Sequence, residues 1–194
     1  MKKIALVIAL AIASLNAAQA QTAPAEKQMR FLVGGGLTFG GDKLATAEYT
    51  NGGEIDIHAG SMIALNAGME YRFAPEFSLQ ANVGYHVDNA SATNGDIRFQ
   101  RFPMELLGYY HANQQWRVGG GVRYVSNPKL SSSGAAYFGN FDFKNTVSGV
   151  VEVEYLMNQH VGFKVRYVNE KFELKNGTKE FDANHVGFFA NYYF

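Results

Sequence analysis

The chain has 194 residues with 17 basic and 17 acidic side chains, no cysteine, 21 glycines, 15 phenylalanines and 11 tyrosines. Neutral charge without a basic stretch argues against a nucleic-acid partner. The missing cysteines exclude a disulfide scaffold and thiolate metal centres, and the length suits one folded domain rather than two.

The first element is a leader. Lys2 and Lys3 precede an apolar stretch from Ile4 to Ala13, and Ala18-Gln19-Ala20 provides small residues for cleavage, so residues 1–20 read as a secretory signal peptide. Its apolar run is too short for a transmembrane helix, and no later segment reaches eighteen apolar residues. Removing Lys2 and Lys3 leaves 15 basic against 17 acidic residues.

Beyond the leader the signal is a period of two, the signature of strands whose side chains alternate between faces. The first strand, Phe31 to Phe39, places Val33, Gly35 and Leu37 on one face. The second and third, 63–73 and 77–87, have apolar odd positions (Ile63 to Phe73, then Phe77 to Val87) and are joined at Ala74-Pro75-Glu76, which reads as a tight turn. Phe102 to Tyr110 and Trp116 to Tyr124 form the fourth and fifth, separated by Asn113-Gln114-Gln115. Val147 to Tyr155 and Val161 to Tyr167 form the sixth and seventh, separated by Met157-Asn158-Gln159. The eighth runs to the last residue with Val186, Phe188, Ala190, Tyr192 and Phe194 on its apolar face. Tight turns alternate with longer polar stretches near 42–58, 89–96, 127–143 and 175–182, so the long loops share one end of the sheet.

The other face is poor in lysine and rich in Gly, Ser, Asn, Tyr and Arg, unlike the water-facing side of a soluble sandwich. Aromatics cluster at both ends of the apolar face: Tyr71, Phe73, Phe77, Tyr110, Trp116, Tyr155, Phe163, Tyr192 and Phe194 at the short-turn end, and Tyr85, Phe102, Tyr124 and Tyr167 at the other. Two such bands match the girdles of a protein spanning a bilayer with strands. Hydrocarbon tolerates no open sheet edge, so the sheet is expected to close, first strand to eighth. The expected fold is all-β: an eight-stranded antiparallel transmembrane up-and-down β-barrel.

The leader, the long-short loop rhythm, the eight alternations and the terminal Phe194 resemble the small outer-membrane barrels of the OmpA/OmpX type, over essentially 28–194. The resemblance implies the bacterial outer membrane as location, residues 21–28 as a short periplasmic segment and 29–194 as the barrel domain. It implies outer-membrane lipid and lipopolysaccharide as surroundings, and the barrel assembly machinery with periplasmic chaperones as partners. The terminal Val186, Phe188, Ala190, Tyr192 and Phe194 resemble that machinery's recognition signal. With the chain ending at Phe194, no peptidoglycan-binding domain is expected to follow.

By parity the interior receives Glu70, Arg72, Arg101, Glu105, Arg117, Arg123, Glu152, Glu154, Lys164 and Arg166. Eight strands leave only enough room for side chains, so these charges must pair; an interlocked plug is the first expectation and a narrow channel for small solutes the alternative. A lipid A-modifying enzyme is a second alternative, assembled from His86, Asp88 and a loop serine such as Ser91. No catalytic, metal or cofactor motif supports it, and Ser78 lies too far along the strand from His86 for a proton relay. Tyr137, Phe138 and Phe141 in the stretch 127–143 are candidate contacts for an extracellular partner, or pack on one another. Pro103 fits a closed sheet poorly, and a bulge there, or a strand end clear of the membrane, is expected. The role implied is structural or surface-interacting, in envelope integrity or adhesion, without catalysis.

Overall fold

A computed structural model describes residues 28–48, 54–92, 95–134, 137 and 139–194; the signal peptide, the segment before Gln28 and Phe138 lie outside the described residues. Thirteen strands follow in chain order: β1 (Met29–Gly40), β2 (Lys43–Glu48), β3 (Glu54–His58), β4 (Met62–Ala74), β5 (Phe77–Ala92), β6 (Gly95–His111), β7 (Trp116–Gly134), β8 (Phe141–Asp142), β9 (Thr146–Leu156), β10 (Val161–Asn169), β11 (Lys171–Glu173), β12 (Glu180–Asp182) and β13 (His185–Tyr193). Eight of them, β1, β4, β5, β6, β7, β9, β10 and β13, pair antiparallel in that order, and β13 pairs back to β1, which closes the barrel. Closure removes the unpaired edge that a lipid-facing sheet cannot carry.

Alternation governs burial strand by strand. In β13 His185, Gly187, Phe189, Asn191 and Tyr193 point inward while Val186, Phe188 and Tyr192 are exposed. The exterior is a continuous apolar surface, with Val151 58% and Val165 47% exposed on neighbouring strands, as hydrocarbon rather than water demands. Aromatic contacts mark its two ends: Trp116 with Tyr155 at 4.9 Å and Phe77 with Tyr110 at 5.5 Å near the tight turns, Tyr85 with Phe102 at 5.3 Å near the other end.

The long stretches are not loops in the main. The strands β5, β6 and β7 continue past the aromatic band, β8 adds to β7, and β2–β3 and β11–β12 are hairpins of their own. Together they enclose an apolar cluster that includes Ile57, Ile97, Phe99, Leu130, Phe143 and Phe172. Phe99 meets Phe143 at 5.4 Å and Phe172 at 5.6 Å, both edge to face, a favoured aromatic geometry. This second core sits over the outer mouth of the barrel.

Pro103 is accommodated by a gap in the ladder on one side and a bulge in the neighbouring strand on the other. On its β5 side the ladder lacks the pairs Gly84–Pro103 and Tyr85–Phe102 without any shift of register. Gly84 makes room there, since a Cβ on it would lie 3.1 Å from the Pro103 ring. The bulge lies instead in β7, where the register shifts between Gln100 and Phe102 and Asn127 adopts φ 49°, a left-handed conformation that Asn tolerates. Beyond it the inward parity of β7 changes, so Pro128, Leu130 and Ser132 are buried.

Candidate functional site

The barrel interior is filled by charges in strict alternation. Beginning near the tight turns, Arg30 Nη2 lies 2.8 Å from Glu70, and Glu70 lies 2.5 Å from Arg117 Nη1. Arg117 is 2.7 Å from Glu154, which is 3.9 Å from Lys164, itself 2.6 Å from Glu152. Glu152 is 3.3 Å from Arg166, and Arg166 and Arg123 both reach Glu105 Oε1, at 2.9 and 2.8 Å. Arg123 Nε ends the chain 3.1 Å from Glu170. Positive and negative groups thus alternate from Arg30 to Glu170 across six strands and the β10–β11 junction, and the charges cancel along the series.

Neutral groups complete the bonding. Tyr193 donates to Glu154 Oε1 at 2.7 Å and accepts from Arg117 Nη2 at 2.6 Å. Tyr109 donates to Glu152 and accepts from Lys164 at 2.8 Å, while its ring lies 4.2 Å beneath the Arg117 guanidinium. Asn191 and Ser148 donate to Glu154 and Glu170. Buried charges are tolerated when each has an opposite charge and further hydrogen bonds; every member of the series has an opposite charge, while Glu152 Oε2, Arg166 Nε and Glu170 Oε2 are left without a hydrogen-bond partner.

Parity reasoning picked out eight of these charges: Glu70, Glu105, Arg117, Arg123, Glu152, Glu154, Lys164 and Arg166. Arg72 is half-buried and donates to the carbonyl of Pro75 in the turn, apart from the series. Arg101 also stands apart: it is fully buried, donates to the carbonyls of Ala59 and Ser61, and stacks 4.6 Å from the Phe99 ring. It therefore ties the β3–β4 connection to the barrel wall. Arg30 and Glu170 were missed because their strands run further than the hydrophobic pattern. Arg30 has the parity of inward Leu32, and Glu170 that of Lys164, Arg166 and Val168, so extending the alternation by one or two steps would have found both.

The histidines serve packing and bonding. His86 Nε2 lies 2.8 Å from the Thr38 hydroxyl and 3.1 Å from the Ser61 carbonyl, and its Nδ1 faces Arg123 at 3.4 Å. Its partners are thus neither Asp88 nor Ser91; Asp88 instead accepts from the backbone N–H of His58 at 2.9 Å. Ser78 and His111 form a hydrogen-bonded pair at 2.8 Å that sequence spacing did not suggest. Both are buried, and among the described residues no carboxylate is hydrogen-bonded to the imidazole, so the pair there lacks the access and the third group that an activated serine uses. No cluster of metal-binding side chains occurs among the described residues.

Of the residues of the stretch 127–143, Phe143 is buried in the outer core, whereas Tyr137 is 65% and Phe141 39% exposed. On the terminal strand, Val186, Phe188, Tyr192 and Phe194 are exposed on the lipid side, with the Tyr192 and Phe194 rings 5.0 Å apart.

A closed eight-stranded barrel with an apolar exterior, two aromatic bands and a charged interior defines an integral β-barrel protein of the bacterial outer membrane. The chain belongs to the outer membrane protein beta-barrel domain family, whose model matches residues 6–194. Among curated proteins none matches. Among solved structures it is similar to Ail, the attachment invasion locus protein of Yersinia pestis, in complex with the heparin analogue sucrose octasulfate, at 10% identity over 86% of this chain and 97% of that one, with a TM-score of 0.56. Neisserial surface protein A shares 9% identity over 87% of this chain and 98% of its own, with a TM-score of 0.46. The outer membrane protein OprG of Pseudomonas aeruginosa shares 13% over 85% and 95%, with a TM-score of 0.47.

Proposed function

We propose that this barrel is a non-catalytic anchor that holds an ordered platform outside the cell, with a role in surface interaction or envelope integrity. The observation that carries the reading is the stacking of two closures: an interior filled by the alternating charges from Arg30 to Glu170, and above it the apolar core around Phe99, Phe143 and Phe172. A transport path would need neither to be so filled. An anchor needs both, one to set the register of the wall and one to order the outer hairpins. Tyr137, Phe141 and Ile55, exposed at the outer end, are the groups offered to a partner. Ail, which shares the fold, is recorded with the heparin analogue sucrose octasulfate, in keeping with contact between such barrels and extracellular ligands. On this reading the terminal strand with Phe194 is the segment presented to the barrel assembly machinery.

The test is attachment of cells displaying the protein to a panel of extracellular surfaces. Replacing Tyr137 and Phe141 together by Ser should reduce attachment while surface level and folding are unchanged. Attachment that is absent for the parent protein, or unaltered in the variant, would contradict the assignment.

A further inference from the structure

The turn that closes the β11–β12 hairpin runs Leu174-Lys175-Asn176-Gly177-Thr178-Lys179 and is exposed from Lys175 onward. One backbone hydrogen bond spans it, from the Leu174 N–H to the Lys179 carbonyl at 3.3 Å. Among the described residues, neither the side-chain amide of Asn176 nor the N–H of Gly177 has a hydrogen-bond partner. A glycine that follows an asparagine leaves its own nitrogen unshielded, because no Cβ hinders the approach of that nitrogen to the asparagine Cγ.

Other exposed asparagines have their side chains tied down. Asn113 Oδ1 accepts from the N–H groups of Gln115 and Trp116, both at 2.8 Å, and Asn158 Oδ1 from those of His160 and Val161, both at 2.8 Å. Asn145 accepts from the Asn127 N–H at 3.0 Å and donates to the Tyr124 hydroxyl at 2.7 Å. None of these three precedes a glycine. Gly95, which follows Asn94, is held in the β6 ladder opposite Ala92 and Gly134, and Asn51-Gly52 lies outside the described residues. Charge also distinguishes the β11–β12 turn. Lys175 and Lys179 flank the pair, and neither ammonium has an ion-pair partner among the described residues, that of Lys179 resting 4.7 Å from the Phe181 ring. Nearby cations favour both the deprotonated amide nitrogen that attacks and a carboxylate product.

We propose that Asn176 is a self-modifying site, whose amide is converted to a carboxylate by the backbone of Gly177 and water. The Gly177 nitrogen bonds to Cγ of Asn176, the bond from Cγ to the amide nitrogen breaks, and ammonia leaves with the proton that Gly177 gives up. Water then opens the cyclic imide: cleavage at the side-chain carbonyl gives aspartate, and cleavage at the main-chain carbonyl gives isoaspartate. Water is the one co-reactant, and no redox step is involved. The product puts a negative charge between Lys175 and Lys179. Since the Lys175 N–H donates to the Asp142 carbonyl at 2.9 Å, the change falls beside Phe141 and alters the outer surface with time. The β11–β12 ladder, Lys171–Glu173 against Glu180–Asp182, lies outside the turn, so Phe172 keeps its place in the outer core.

The experiment holds the refolded mature protein in lipid vesicles at mildly alkaline pH, in water enriched in heavy oxygen, and maps its peptides by mass spectrometry over time. The peptide with Asn176 should convert to a mixture of aspartate and isoaspartate carrying a single heavy oxygen. Peptides with Asn113, Asn145 and Asn158 should keep their amides over the same period. Gly177→Val is the control, since a Cβ there has room, 3.8 Å from the Leu174 Cβ, while the branched side chain shields the attacking nitrogen. Heat-dependent gel mobility verifies that parent and variant are folded, and the variant should lose the conversion at Asn176. An unconverted Asn176 in the parent protein, a product without isoaspartate, conversion of Asn113 or Asn158 at the same rate, or an undiminished rate in Gly177→Val would overturn the assignment.

Discussion

Arg117 and Glu154 face each other across β7 and β9, and two nitrogens of the guanidinium, Nε and Nη2, donate to a single carboxylate oxygen at 2.9 and 2.7 Å. Both side chains are essentially inaccessible to solvent. Each also has a second opposite charge, Glu70 for Arg117 and Lys164 for Glu154, so the pair is a link in a series rather than an isolated bridge.

Removing one member should leave an uncompensated buried charge and cost roughly 3–5 kcal/mol, whereas removing both leaves the flanking pairs Arg30–Glu70 and Lys164–Glu152 intact. Arg117→Met and Glu154→Met are therefore expected each to be strongly destabilising and the double variant to fall well short of their sum. Urea unfolding in lipid vesicles measures this, and additive losses would contradict the coupling.

The two sides of β9 should respond in opposite ways. Val151 faces outward, and Val151→Arg near mid-membrane should cost about 2–4 kcal/mol. Val150 faces inward and packs with Leu107, Tyr109 and Val168. Val150→Ala should cost about 2 kcal/mol through lost contacts, and Val151→Ala far less. Equal losses for the two alanine variants would contradict the assignment of faces.

The outer core should be separable from the membrane barrel. Phe172 is fully buried between Phe99 and Phe143, and Phe172→Ala should cost about 3–5 kcal/mol in the order of the outer hairpins. Limited proteolysis is expected to cut the hairpins of the variant while heat-dependent gel mobility still reports a closed barrel. Loss of the barrel itself would show that the two cores fold as one.

Asp88 lies beyond the Tyr85–Phe102 band, outside the membrane span, and burial raises its carboxyl above the ordinary value against the opposing effects of the His58 N–H bond and nearby Arg101. A carboxyl with a raised folded pKa contributes stability that is complete below the unfolded pKa and is lost as pH rises through the folded one. Asp88→Asn keeps an acceptor for His58, so the variant should gain stability relative to the parent at neutral pH and lose that gain in acid. Unfolding followed as a function of pH measures the difference; a gain that grows toward acid would contradict it.

The barrel was readable because its outer face meets one solvent, lipid, at every second residue. Val186, Phe188 and Tyr192 therefore alternate without error, and parity carried Glu154 and Arg166 inward with them. Past the aromatic band that rule stops applying. Ile97, Phe99 and Leu130 turn their apolar side chains inward to the outer core, and the bulge at Asn127 changes the parity of β7, so these stretches read as loops. The ion pairing was not readable, because links between neighbours such as Arg117–Glu154 depend on how the strands are staggered, and links such as Arg117–Glu70 and Arg166–Glu105 cross the interior between strands that are not neighbours.

The most direct measurement is single-channel conductance of the refolded mature protein in a planar bilayer, with gel mobility establishing that it has folded. A filled interior beneath an apolar core predicts a silent membrane. Reproducible conductance steps whose size changes in Arg117→Met or Glu154→Met would contradict the account, and make the charged interior a path.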